Sequence, residues 1–324
     1  MTGTSVGSKD PDRPSAPQAS PGGDPSAIET RGLVKRYGRT VALDGLTMSV
    51  PRGEVFGFLG PNGAGKTTAI KVLLGLTAPT SGGAWVLGRP AGDLVARRRT
   101  GYLPEMFRYQ AWLTGREVLG VHCRLIGLPR SEWDSEIRAT LEGAGIADRG
   151  GDRVAGYSKG MQQRLGLAVA LLGRPDVIFL DEPTSALDPV GRLEMRPILR
   201  ALRDRGATVF LNSHMLSEVE QVCDRVAILE RGRVAFMGPL AELLEERLVR
   251  LRMTGLGDTA RAILGRFGRV AEESGWIEVR GCDPARIPDL VAELVAAGAR
   301  VHAVEPRQTS LEERFRALVA GGDR

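Results

Sequence analysis

From Ile28 to about Leu240, short uninterrupted apolar runs alternate with stretches in which apolar residues recur every three or four positions. That alternation predicts strands joined by helices, the arrangement of a parallel α/β sheet. Four runs read as strands buried on both faces: Glu54–Leu59, Val177–Leu180, Ala207–Leu211 and Val226–Leu229. Between about 105 and 165 the strand signal fades. There Thr114 and Glu117 form a capping box ahead of Val118, Leu119, Val121, Leu125 and Ile126, and Gly127 and Pro129 end the helix. A helical insertion within a sheet domain is predicted. After about Leu240 the pattern gives a helix (Leu240–Leu248), a strand (Val249–Met253), a helix (Thr259–Phe267), a strand pair around Gly275, a helix (Ile287–Ala297), a strand (Arg300–Val304) and a capped helix from Ser310. Beyond its leading helix this βαββαβα order suggests a small ferredoxin-like sandwich.

Composition changes the picture at the ends and the surface. Residues 1–27 are polar, carry five prolines and have almost no large apolar groups, so they predict a disordered tail. The tail lacks the apolar core of a secretory signal, and no run approaches eighteen apolar residues, which predicts a cytoplasmic chain without a membrane span. Hydrophobic residues make up 42% and charged residues 26%, ordinary for a globular protein. The net charge of +5 comes from arginines dispersed among carboxylates, with only five lysines and no run of five like charges, so no nucleic-acid partner is expected. Cys123, Cys223 and Cys282 have no metal-ligand or paired spacing and read as reduced thiols.

Two segments carry chemistry. Gly60-Pro61-Asn62-Gly63-Ala64-Gly65-Lys66-Thr67, followed by Thr68, fits GxxxxGK[ST] between the strand ending at Leu59 and an expected helix Ala69–Leu74. The glycines let the backbone curl its amides toward phosphate oxygens, and the following helix adds its positive end. Lys66 is then placed to reach the β- and γ-phosphates, and the Thr67 hydroxyl to ligate Mg²⁺. The second segment, Val177-Ile-Phe-Leu-Asp181-Glu182, ends a buried strand in two carboxylates at the edge where open α/β sheets bind ligands. Asp181 is placed to hold Mg²⁺ through water, and Glu182 to accept the proton of an attacking water.

With these residues in view, the segment resembles the nucleotide-binding subunit of ABC transporters. Tyr157-Ser158-Lys159-Gly160-Met161-Gln-Gln-Arg164 looks like the signature motif, Ser185-Ala-Leu-Asp188 matches the D-loop, and Asn212-Ser-His214 the switch histidine. Tyr37 lies where the family stacks an aromatic on adenine, and Glu105 in Gly101-Tyr-Leu-Pro-Glu105 where it usually has the Q-loop glutamine. The resemblance implies an α/β fold, a P-loop NTPase with a RecA-like parallel core over 28–240, and an accessory or regulatory α+β domain over 241–324. It implies ATP and Mg²⁺ as cofactors, with Thr67, Asp181 and Glu105 near the metal and Lys66, Glu182 and His214 as the catalytic groups. Ser158, Lys159, Gly160 and Met161 would serve the nucleotide of a second copy, so that two chains sandwich two ATP molecules. The Glu-type Q-loop, the Tyr-Ser-Lys-Gly-Met signature and Thr309-Ser-Leu-Glu-Glu-Arg-Phe315 are similar to ATPases of the ABC-2 exporter group. A separate membrane permease is then the expected partner, with the chain at the inner face of the membrane.

Lys159 and Met161 stand where the signature usually carries Gly and Gln, and Glu105 adds a negative charge beside the triphosphate, so slow hydrolysis is expected. The competing reading is a soluble ABC ATPase acting on nucleic acid or ribosomes. It lacks the long heptad insertion or second cassette those types need.

Overall fold

The computed structural model describes residues 26–244, 247–273, 275–308 and 310–321. The described residues divide into two compact units, one of residues 26–215 and 221–237, the other of residues 216–220 and those from 238 onward.

The first unit opens with an antiparallel sheet that the parallel reading of the sequence did not contain. Strands β1 (Ser26–Tyr37) and β2 (Thr40–Pro51) form a hairpin across Gly38-Arg39, with Gly38 at φ +56°. A two-residue connection can join only antiparallel neighbours. β4 (Ser81–Val86) and β5 (Arg89–Pro90) extend the sheet in the order β2-β1-β4-β5. β1 begins at Ser26 and Ala27 is fully buried, so the last two residues of the expected tail belong to the fold. The rest of that tail lies outside the described residues.

The second sheet contains the buried runs. β3 (Val55–Leu59), β6 (Thr100–Leu103), β7 (Val177–Asp181), β8 (Thr208–Asn212), β9 (Arg225–Glu230) and β10 (Arg233–Pro239) lie in the order β10-β9-β3-β8-β7-β6. The pairs β3–β8, β3–β9, β6–β7 and β7–β8 are parallel. Every residue of β3, β7 and β8 is buried, which is why these strands read as continuous apolar runs. Phe210 gathers Phe56, Phe58 and Phe179 around it at 5.6, 5.0 and 5.2 Å between ring centroids, spacings at which aromatic rings attract beyond their area burial.

The helices of this unit are α1 (Lys66–Leu73), α2 (Leu94–Arg98), α3 (Gly115–Leu125), α4 (Trp133–Gly143), α5 (Lys159–Leu171) and α6 (Pro189–Asp204). α1 starts three residues earlier than its apolar pattern indicated, because Lys66, Thr67 and Thr68, the polar residues of its first turn, carry no apolar signal. α3 to α5 form the helical insertion. Both halves of the Thr114/Glu117 capping box are present, and Ser158 caps α5 by accepting from the Met161 amide at 3.2 Å.

α7 (Leu216–Val222) begins among the residues that cluster with the second unit. α8 (Leu240–Leu244) is shorter than the helix expected to reach Leu248, since β11 (Arg247–Thr254) already occupies its last positions. There follow α9 (Asp258–Phe267), β12 (Arg269–Glu273), β13 (Trp276–Arg280), α10 (Ile287–Ala296), β14 (Arg300–Gln308) and α11 (Leu311–Gly321). The sheet order β12-β13-β11-β14, with antiparallel neighbours, is that of a ferredoxin-like sandwich. Leu290 and Leu294 of α10 join Ile263, Leu264 and Phe267 of α9 and Val249, Leu251 and Val279 of the sheet in one core.

Candidate active site

Parallel pairing brings the carboxyl ends of β3, β7 and β8 to one edge of the sheet, where Leu59 leads into the glycine-rich loop and Asp181 and Asn212 lie opposite each other. Open α/β sheets bind ligands along this edge. A cleft of about 520 Å³ lies there, lined by Thr40, Val41, Ala42, Asn62 to Thr68, Glu105, Glu182, Ser185, Asn212 and His214.

The loop's conformation rests on glycine at two points. Gly65 has φ +104°, and a Cβ on it would stand 2.2 Å from the Ala42 carbonyl oxygen. A Cβ on Gly60 would stand 2.4 Å from the Leu229 carbonyl oxygen. A side chain at either position would force the loop off the sheet edge. Gly60 and Pro61 do not line the cleft; their carbonyls accept from Lys66 Nζ at 2.7 and 3.1 Å. Burial lowers the Lys66 pKa, while the carboxylates of Glu182, Asp181 and Glu105 pull it back up. Those three acids therefore share the field of one ammonium. Tyr102 on β6 is pushed up to about 12 by burial and by the charges of Asp181 and Glu105.

Asp181 lies beneath the cleft surface, 2% exposed. Burial raises its pKa, and a short hydrogen bond from the Asn212 side-chain amide to Asp181 Oδ1 opposes that shift. Glu182 is held harder. His214 donates its backbone amide to Oε1 at 3.0 Å, and the His214 ring sits with Nδ1 2.7 Å from Oε2. Burial pushes the Glu182 carboxyl up and the His214 contacts bring it partly back. The Glu182 backbone has φ +54°, a left-handed conformation uncommon for a residue with a side chain. Hydrogen bonds on both sides of the peptide fix it: the Glu182 amide donates to Asn212 O at 2.9 Å, and the Ser185 hydroxyl donates to Glu182 O at 2.9 Å. The side chain is thereby aimed at the phosphate loop by a backbone that is hard to relax.

Several expected residues lie elsewhere. Tyr37 does not line the cleft, although its hairpin partner Thr40 does; Lys35 Nζ sits 4.9 Å from its ring centroid. Ser158, Lys159, Gly160 and Met161 do not line the cleft of their own chain. Glu105 does, as do Thr67 and Thr68. The sequence reading passed over Thr40 to Ala42, which the β1–β2 hairpin carries to the loop, and Ser185 as a lining residue. It also passed over Asn212 as more than the start of the switch motif. Thr40 to Ala42 and Asn212 are brought to the site by contacts with distant segments, which no local pattern marks, whereas Ser185 lies three residues after Glu182 and bonds its carbonyl. Cys123, Cys223 and Cys282 are free and buried. Among the described residues no group of three His, Cys, Asp or Glu side chains could hold a metal by itself, and no helix is long and apolar enough to cross a membrane.

A parallel sheet whose first buried strand opens into a phosphate loop, with two carboxylates at the end of a neighbouring strand, defines a P-loop nucleoside triphosphatase. The ABC transporter family profile matches residues 43–185. An ABC transporter ATP-binding protein of Nostoc sp. is 40% identical over 300 residues, covering 90% of this chain and 89% of its own length. The daunorubicin/doxorubicin resistance ATP-binding protein DrrA of Streptomyces peucetius is 38% identical over 307 residues, covering 90% of this chain and 92% of its own. A solved ATP-binding subunit of an ABC transporter superposes with a TM-score of 0.62 at 31% identity, covering 67% of this chain and 92% of that one. The chain belongs to the ATP-binding proteins of ABC transporters and is an ATPase of that family.

Proposed function

We propose that the chain is the ATP-hydrolysing subunit of an exporter, closing nucleotide between two copies of itself and driving a separate membrane permease from the cytoplasmic face. The observation that carries the hydrolytic part is the Glu182–His214 pair in the cleft of Lys66, with both carboxylate oxygens engaged by one histidine. The exporter part is supported by the likeness, over nine-tenths of both chains, to a protein named for drug resistance.

On this reading Lys66 leaves the Gly60 and Pro61 carbonyls for the β- and γ-phosphates, and the amides of Asn62 to Thr68 cradle them. Thr67, Asp181 and Glu105 would hold Mg²⁺. The small number of protein donors suits a cation that keeps its waters and takes phosphate oxygens. When bound, that cation neutralises charge on the phosphates. Glu182, pushed up by burial, accepts the proton of the attacking water, and His214, fixed at Nδ1, orients the γ-phosphate. Tyr37 offers the face not occupied by Lys35 to the purine. Ser158 to Met161, absent from their own chain's cleft, close the nucleotide of the second copy. The 238–324 unit serves assembly or regulation.

The decisive experiment compares Lys66→Ala and Glu182→Gln. Lys66→Ala should lose ATP binding. Glu182→Gln should keep binding and lose turnover by about 10²- to 10⁴-fold, the usual contribution of a general base. Phosphate release by Glu182→Gln at the parent rate would refute the assignment of the base. Co-purification with a polytopic membrane protein supports the exporter reading; tight binding to DNA or ribosomes instead overturns it.

A further inference from the structure

Asn212 is the last residue of β8, directly opposite Asp181 of β7 and paired with Phe58 of β3. It follows Val209, Phe210 and Leu211, all buried, and is itself 3% exposed. An apolar side chain would suit such a position in a central parallel strand. The amide's Oδ1 is buried and, among the described residues, has no hydrogen-bond partner. The same side chain donates Nδ2 to Asp181 Oδ1. The amide cannot be turned round, since that would set Oδ1 against the Asp181 carboxylate. The backbone carbonyl of Asn212 also accepts the Glu182 amide at 2.9 Å. One residue thus grips the two neighbouring acids, the first through its side chain and the second through its main chain.

We infer that Asn212 is a positioning residue for the divalent cation: its amide holds Asp181 Oδ1, so that the carboxylate presents Oδ2 to the cation in one fixed orientation. The inference rests on the reading of Asp181 as a ligand of that cation. A polar side chain in an otherwise apolar strand, its amide given to a buried carboxylate, is what a partner behind a metal ligand requires. Such partners fix the ligand's orientation, and their removal typically lowers metal affinity by about 10- to 100-fold. The backbone bond to Glu182 belongs to the strand pairing and survives any substitution at 212. Side-chain replacement therefore separates the hold on Asp181 from the hold on Glu182.

The test uses the full chain and two titrations of a fluorescent ATP analogue, one in excess EDTA and one with Mg²⁺ varied at fixed analogue. Asn212→Leu, with the same branching at Cγ and the same number of heavy atoms, removes the donor. Asn212→Thr, β-branched and suited to a strand, is the second variant should Leu disturb the fold; its hydroxyl is one bond too short to reach Asp181. In each, half-saturating Mg²⁺ is expected to rise about 10- to 100-fold, a larger factor than any change in the metal-free affinity for the analogue. The electron paramagnetic resonance signal of Mn²⁺ bound with nucleotide should broaden or weaken in parallel. A parent-like Mg²⁺ titration in either variant, or loss of metal-free and metal-dependent binding by the same factor in both, overturns the inference. A parent chain that binds the analogue without any Mg²⁺ dependence would overturn the reading of Asp181 itself, an outcome distinguishable because it is seen before any substitution is made.

Discussion

At the scale of single residues, one buried acid away from the cleft contributes to the protein's response to pH. Glu54, just before β3, is raised to about 7 by burial and by the neighbouring Asp224, with the Arg225 guanidinium only partly offsetting this. Arg225 Nε is 3.8 Å from Glu54 Oε1, and neither atom has a hydrogen-bond partner. Unfolded Glu54 ionises near 4.5. Between that pH and 7 the folded protein therefore holds a proton that the unfolded chain has released, and stability falls as pH rises through this window and levels off above it. At about 1.4 kcal/mol per tenfold in proton affinity, the loss is about 3 kcal/mol. Denaturant unfolding at pH 5 and pH 8 should show it, and Glu54→Gln should abolish most of the difference. A second substitution tests the loop: Gly65→Ala sets a Cβ against the Ala42 carbonyl at φ +104°, so it should destabilise the protein by about 1–3 kcal/mol and weaken ATP binding. Thermal unfolding and a nucleotide titration on the same sample read both effects.

At the scale of elements, Ser158 has two separable roles. It caps α5 through the Met161 amide, and it is proposed to face the γ-phosphate of a second copy. Ser158→Ala removes both functions and should cost about 1 kcal/mol of stability through the cap alone. Ser158→Asp keeps the cap, because aspartate is as good an N-cap and favours the positive end of the helix, yet it sets a negative charge against a triphosphate. The expected outcome is a melting temperature at or above the parent's with ATP-driven dimerisation abolished, read by light scattering in the Glu182→Gln background. Dimerisation that survives Ser158→Asp would count against the composite site.

For the molecule as a whole, the division into two units does not follow a single cut in the chain. Residues 216–220 cluster with residues 238–324, and within that unit the Leu311 amide donates to Glu220 Oε2 while Arg314 Nε donates to the Leu243 carbonyl. A chain ending at residue 237 keeps every lining residue of the cleft, so its ATP affinity should stay within about threefold, under 0.7 kcal/mol, of the full chain. The same truncation removes the partners of residues 216–220, so a lower melting temperature and altered ATP-driven dimerisation are expected. Calorimetry and light scattering on the truncated chain check these. A well-folded truncation that fails to bind ATP would show that the second unit completes the site.

Local sequence determined those parts whose physics is local. Val177-Ile-Phe-Leu and Val226-Ala-Ile-Leu could only be strands buried on both faces, Gly60 to Gly65 only a turn that exposes amides, and Thr114 with Glu117 only a helix start. The βαββαβ order after Leu240 was likewise legible, because hydrophobic period distinguishes helix from strand without knowledge of the partners. What depends on pairing was not legible. The antiparallel sheet of β1, β2, β4 and β5 turns on which strands meet, and the apolar pattern of β1 is the same whichever neighbour it takes. Thr40 to Ala42 reach the phosphate loop, and residues 216–220 join the second unit, through contacts between segments far apart in the chain. Asn212 reads as one polar residue before a serine and a histidine until β8 is laid beside β7. Only that register sets its amide on Asp181 and its carbonyl on Glu182, because a parallel ladder fixes which residues face each other and the sequence of either strand alone does not.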